Sequence, residues 1–244
     1  MSRPFLIIQL RPEDETADSE LDAILRYGGL RDDETVRARV EQTGLPDIEL
    51  RDYAAIIVGG SPFDMSTPED AKSGIQKTVE SGFMSLLDRV VAADFPFIGA
   101  CSGNSLLGAF CGARISRRFG EPVGGVDIAL TAAGRSDPLL QGLPGTFRAL
   151  VGHKEACEDV PRGAVLLATS ATCPVQMFRV GRNVYATQFH PEGDLAGFTV
   201  RINAYRHHGY FPPETAEDLI LAVAGEHTPV PNEILGRFVD RFRR

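Results

Sequence analysis

The 244-residue chain has no C-x-x-C pair, few lysines, no long apolar run and no surplus of positive charge. Each absence excludes a class of protein. Its four cysteines, Cys101, Cys111, Cys157 and Cys173, lack metal-finger spacing, and in a chain this long they make no disulfide framework. No stretch approaches the ~18 consecutive apolar residues of a membrane-spanning helix. The apolar run near the N-terminus, Phe5 to Leu10, is too short for a secretory signal and reads as a first buried strand. Only Lys72, Lys77 and Lys154 among the 25 basic residues are lysines, and the net charge is −8. That balance excludes a general binder of nucleic acid or anionic membrane, so neither is expected as a partner. A cytoplasmic soluble enzyme or binding protein is the starting expectation.

What is present is an ordinary globular composition, 43% hydrophobic and 24% charged. A chain of this size buries roughly 70–75% of its unfolded surface and folds without staples. Short apolar runs alternate with helical patterns. Phe5–Leu10, Ala54–Val58 and Phe95–Gly99 are continuous apolar runs bounded by turn residues, the signature of parallel strands covered on both faces. Asp47–Leu50 is a shorter strand candidate. Leu21, Ile24 and Leu25, and later Val36 and Val40, follow helical spacing. Thr67 with Pro68, Glu69 and Asp70 predicts a helix start. Val79, Phe83, Leu86, Leu87, Val90 and Val91 form that helix's apolar face. Beyond Gly120, glycine and proline punctuate strand candidates at Val126–Leu130, Phe147–Val151, Val165–Thr169, Val175–Val180 and Val184–Phe189. Thr215 with Asp218 predicts a capping box, and Ile234, Leu235, Phe238, Val239 and Phe242 form a closing apolar stripe. The pattern predicts one α/β domain over residues 1–244, with a mostly parallel central sheet and a small antiparallel sheet. Its motif-bearing core covers about 5–195 and a helical extension about 196–244.

Two segments carry chemistry. In Phe97-Ile98-Gly99-Ala100-Cys101-Ser102-Gly103 a buried strand runs through G-x-C-x-G into a helix. This is a nucleophile elbow with cysteine in the place of serine. Its glycines permit the close backbone approach of a sharp turn, and the helix N-terminus behind the thiol is expected to favour the thiolate. Taken alone, the segment fits equally a small buried thiol in an ordinary turn. The second segment, Val184-Tyr185-Ala186-Thr187-Gln188-Phe189-His190-Pro191-Glu192, supplies what a nucleophile lacks. A thiol needs a base, and the base needs a group that orients its ring. Residues i and i+2 of an extended chain project to the same side, so Glu192 is placed to reach His190.

These blocks resemble the class I (triad-type) glutamine amidotransferases, most closely the amidotransferase half of GMP synthase and its stand-alone relatives. Ile56-Ile57-Val58-Gly59-Gly60-Ser61-Pro62 is similar to the family's oxyanion loop, and Gly99-Ala100-Cys101-Ser102-Gly103 to its nucleophile block. Gln188-Phe189-His190-Pro191-Glu192 matches the Q-F-H-P-E block letter for letter, and His153-Lys154-Glu155 resembles a weaker His-x-acid segment. The resemblance implies a flavodoxin-like three-layer fold. It also implies that Cys101 attacks the glutamine carboxamide, His190 shuttles the proton and Glu192 orients His190. Backbone N–H groups of Gly60 or Ser61, with that of Ser102, would bind the oxyanion, while Ser105, Gln188 and His153 would lie at the substrate. No cofactor and no metal are implied. The ammonia would go to a separate synthetase subunit in trans.

The chain departs from the family at Ser105, where the pattern G-x-C-x-G-x-Q has glutamine, and at the small Ser102. Asn104, beside Ser105, points elsewhere on a regular helix. These departures keep two further readings open. One is a cysteine hydrolase of the same fold acting on another γ-glutamyl or small amide substrate, and the other is a non-catalytic regulatory subunit. The segment with Tyr205, His207 and His208 could cover the site or form an interface, including one between copies of the chain.

Overall fold

The computed structural model describes residues 3–243. Its strands are β1 (Phe5–Gln9), β2 (Thr35–Arg39), β3 (Ile56–Val58), β4 (Phe97–Ala100), β5 (Ile115–Ser116), β6 (Glu121–Leu130), β7 (Thr146–His153), β8 (Ala156–Cys157), β9 (Ala164–Thr169), β10 (Met177–Val180) and β11 (Val184–Thr187). The helices are α1 (Asp14–Gly28), α2 (Val40–Thr43), α3 (Gly74–Ala92), α4 (Ser102–Phe110), α5 (Ala132–Ser136), α6 (Leu195–Tyr205), α7 (Ala216–Ala224) and α8 (Pro229–Phe242). Nine strands form one sheet in the order β2-β1-β3-β4-β11-β10-β9-β6-β7. From β2 to β11 every pairing is parallel; from β11 to β7 the sheet continues antiparallel. β5 and β8 form a small separate antiparallel sheet. Among the described residues no helix is long and apolar enough to cross a membrane.

The side-chain period of two in the parallel strands builds two cores. Phe5, Ile7, Ile57, Ile98 and Tyr185 face α1 and α8 through Ile24, Ile234, Leu235 and Phe238. Leu6, Ile8, Ile56, Val58, Phe97 and Ala186 face α3 and α4 through Val79, Phe83, Leu86, Leu106 and Leu107. Strands apolar at consecutive positions are therefore covered on both sides, which makes the three layers. The parallel strands β1, β3, β4 and β11 all end on one sheet edge, which brings Arg11, Gly59–Ser61, Cys101 and Gln188–Glu192 together. Open α/β sheets carry their sites at this carboxyl edge.

Four local expectations change. Val36 lies in β2 and not in a helix; its spacing to Val40 imitates a helical repeat, but β2 is an edge strand whose faces are only partly covered. Asp47–Leu50 forms no strand, and Ile48 is buried in a loop that leads into a single 3-10 turn at Leu50–Asp52. Helix α3 begins after Ser73, whose Oγ accepts the Gln76 N–H at 3.2 Å, and Pro68 anchors a turn ahead of it through its carbonyl. Thr215 makes no capping box; its hydroxyl donates to the Pro212 carbonyl at 2.7 Å, in the turn preceding α7.

Candidate active site

Cys101 sits at the end of β4 and caps α4, with φ 53° and ψ −95°. A non-glycine residue held at positive φ stores strain and persists only where its surroundings over-determine it. Here the Cys101 N–H donates to the Thr187 carbonyl at 2.7 Å, while its own carbonyl accepts from Asn104 N at 2.9 Å. The side chain is nearly buried. Burial pushes the thiol up to about 12, and the nearby positive charges of Arg11 and Arg201 only partly oppose that. Desolvation is thus the dominant influence on the thiol and works against the thiolate.

His190 and Glu192 follow β11, and their spacing of two brings them together as the extended chain predicts. Nδ1 of His190 lies 2.7 Å from Glu192 Oε1, with both side chains buried. This fixes the proton on Nδ1 towards the carboxylate and leaves Nε2 as the acceptor. The His190 N–H donates to the Leu150 carbonyl, and the Phe198 ring packs edge-on at 5.4 Å. Burial lowers the His190 pKa; Glu192 opposes this, while Arg201 and Arg11 reinforce it. Burial works against the Glu192 charge, but His190 and Arg201 outweigh it and hold the carboxyl far below the usual range.

The loop after β3 completes the edge. The Gly60 N–H donates to Glu20 Oε1 at 3.0 Å, so of the two amides expected there as oxyanion donors, that of Gly60 is already engaged. Neither Gly59 nor Gly60 has room for a side chain: a Cβ on Gly59 would strike the Glu20 carboxylate, and one on Gly60 would strike Arg11 and stand 3.1 Å from the His190 ring. The Ser102 hydroxyl ties this loop to the elbow by donating to the Gly59 carbonyl at 3.2 Å.

Ser61, Cys101, Ser102, Ser105, Gln188 and Tyr210 line one narrow pocket together with Gly152–Glu155, with a free volume of only about 20 Å³. Gln188 Nε2 lies 4.0 Å from Cys101 Sγ, and its Oε1 is buried without a hydrogen-bond partner among the described residues. The Glu155 carboxylate is spent on the loop, accepting from Met65 N at 2.8 Å and Ser66 N at 2.7 Å. His153 borders the pocket, but its ring is committed elsewhere: Nδ1 meets the Glu155 carbonyl at 2.9 Å and Nε2 meets Glu121 at 2.8 Å. His153 thus lies at the pocket, as expected of a residue near the substrate, with both ring nitrogens already engaged.

A family model for class-I glutamine amidotransferase matches residues 17–204. The chain belongs to that family. Among curated relatives, this amidotransferase is 26% identical over 151 residues to a glutamine-hydrolyzing GMP synthase subunit of Pyrococcus abyssi, covering 62% of this chain and 72% of that one. With the subunit of the same name from Thermococcus kodakarensis it shares 28% over 171 residues, covering 69% and 79%. Of the longer GMP synthase of Caldicellulosiruptor saccharolyticus it covers only 33%, at 24% identity. A solved glutamine amidotransferase of Thermotoga maritima has the same fold, with TM-score 0.71 and 21% identity, covering 98% of this chain and 99% of that one. Another, from Methylobacillus flagellatus, gives TM-score 0.74 at 17% identity, covering 100% and 97%.

Several site neighbours in this amidotransferase carry no motif. Arg11 and Glu20 form a buried ion pair at 2.7 Å; Arg201 meets Glu192 at 2.8 Å. Tyr210, beyond the family match, stacks on Tyr205 at 5.5 Å and lies under Lys154 Nζ at 3.9 Å. One sequence signal could have found two of them. Glu20 interrupts the buried stripe Ala17–Ile24 of α1, and Arg201 the stripe Phe198–Ile202–Tyr205 of α6. His208 packs against Tyr205 at 5.7 Å. The possible ligand group Glu121, His153 and Cys173 has its donor atoms within 4.8 Å of one another. Hydrogen bonds already account for it: Glu121 accepts from Ser170, Thr172, Gln176 and His153.

Proposed function

We propose that this amidotransferase hydrolyses the side-chain amide of glutamine to glutamate and ammonia through Cys101, His190 and Glu192. The observation that carries the reading is the strained Cys101 elbow opening onto the pocket that Ser61, Ser102 and Gln188 share, beside a His190–Glu192 pair at 2.7 Å. His190 Nε2 takes the thiol proton as Cys101 Sγ attacks the carboxamide carbon. The N–H groups of Ser61 and Ser102 receive the developing oxyanion, each such donor being worth about 3–4 kcal/mol. Collapse of the tetrahedral adduct expels ammonia with the proton returned by His190, leaving a γ-glutamyl thioester. Water, deprotonated by the same imidazole, then releases glutamate and restores the thiol.

The chain is one domain in this reading, and α6 with Tyr210 covers the site through Arg201 and the pocket wall. The ammonia passes to a separate synthetase partner, as the names of those relatives that are GMP synthase subunits suggest. Ser105 and Gln188, which line the pocket beside Cys101, contact the substrate. The test is glutamate release from L-glutamine by the native chain and by Cys101→Ala, alone and with a synthetase partner added. Release that vanishes in the variant supports the reading. Release unchanged in Cys101→Ala overturns it, and release only from other small amides moves the substrate class.

A further inference from the structure

We propose that Arg201 is a positioning residue of this site, acting on the proton shuttle through Glu192 and His190; the inference rests on the function proposed above. Arg201 projects from α6, whose start is fixed by the Asp194 side chain accepting from Gly197 N at 2.7 Å. Asp194 also binds Arg26 at 3.0 Å and the Tyr27 hydroxyl at 2.9 Å, which locks α6 to α1. From that base the guanidinium reaches Glu192 Oε1 at 2.8 Å, stands 3.1 Å from His190 Nδ1, and lies 3.7 Å from Glu20. The Phe198 ring is shared: it packs 5.4 Å from the imidazole and 5.2 Å from the guanidinium.

Two consequences follow from charge and geometry. First, one carboxylate oxygen of Glu192 serves both Arg201 and His190, so the planar fork sets the angle at which Glu192 meets Nδ1. Second, the buried charges balance. The charged groups that act on His190 are Glu192 on its own segment, Arg201 from α6 and Arg11 from the end of β1. Glu20 from α1 stands behind both arginines. Two arginines against two glutamates sum to zero with a neutral imidazole, whereas a proton on His190 leaves an uncompensated buried charge. Arg201 thereby keeps His190 free to accept the Cys101 proton, and the positive charge that appears on transfer is offset by the negative charge left on the sulfur, which attack then carries to the substrate oxyanion.

The experiment compares native protein with Arg201→Gln and Arg201→Lys on three readouts. These are the pH dependence of kcat/KM for glutamine, the pH dependence of Cys101 alkylation by iodoacetamide, and the nitrogen-15 titration of His190 by NMR. In Arg201→Gln the His190 titration and the acid limb move to higher pH, because a positive neighbour has been removed. There kcat falls at least about tenfold, inside the ~10²–10⁴ that acid–base catalysis contributes, while KM stays within about twofold. Arg201→Lys keeps the charge and loses the fork, so the limb stays near its native position while kcat recovers only in part. A folded Arg201→Gln with an unmoved His190 titration, or an effect confined to KM, overturns the inference. If Arg201→Gln does not fold, native kcat in Arg201→Lys overturns it. A chain that hydrolyses no glutamine but shows the shifted titration loses the proposed function and keeps this inference.

Discussion

At Gly99 the chain tolerates no side chain. A Cβ built there would lie 2.9 Å from the Gly103 Cα, backbone against backbone, where strand β4 and helix α4 turn on either side of Cys101. Gly99→Ala is therefore expected to destabilise the fold by about 1–3 kcal/mol through overpacking, and to lower activity by moving the thiol. Urea unfolding followed by circular dichroism measures the first, and an unchanged midpoint would show that the elbow can open. This glycine was legible in the sequence because everything that demands it is within four residues. The His190–Glu192 pair was legible for the same reason. Arg201 and Glu20 were not, since their meeting depends on α1 and α6 packing side by side. Gly60 shows the same limit: the family resemblance offered its amide, or that of Ser61, to the oxyanion, and a glutamate 40 residues away takes the Gly60 N–H.

At the scale of elements, apolar pattern is reliable where burial is complete. The α8 stripe is an instance, with Ile234, Leu235, Phe238 and Val239 all buried. Phe238 meets Tyr185 of β11 edge-on at 6.4 Å and Phe242 at 5.0 Å. Phe238→Ala should cost about 3–5 kcal/mol. It should also loosen the loop that carries the site, because Asn232 of the same helix donates to the Pro191 carbonyl at 2.9 Å. A loss below about 1 kcal/mol would make α8 peripheral to the core. Where burial is partial, pattern misleads. The half-covered edge strand β2 imitates a helix through Val36 and Val40, and the turn at Pro68 offers capping residues that a later serine, Ser73, supplants.

For the whole molecule, buried ionisable groups set a pH window for stability. His190 is held below its ordinary 6.5 by burial. Below that pH the unfolded chain gains a proton that the fold refuses, so stability falls as pH drops. Glu121 and Glu192 are held below 4.5, despite burial, by His153 and by His190 with Arg201 respectively. Their contribution is complete above that value and is lost as pH falls beneath it. At the other end, burial raises the thiols of Cys101, Cys157 and Cys173 from 9.0 to about 12. Above 9.0 the unfolded chain sheds protons that the fold retains, and stability falls again. Each fully unmatched proton contributes a slope of about 1.4 kcal/mol per pH unit. The melting temperature should therefore be level between roughly pH 6.5 and 9. It should decline gently below that plateau and more steeply under the carboxylate range. With no tryptophan in the chain, far-ultraviolet circular dichroism is the suitable probe. His190→Gln removes the first acid step and weakens the Glu192 part of the second, while the Glu121 part stays. A melting temperature level from pH 7 down to 5 in the native chain would mean that His190 is protonated in the fold, and the neutral imidazole on which the proton shuttle depends would be lost.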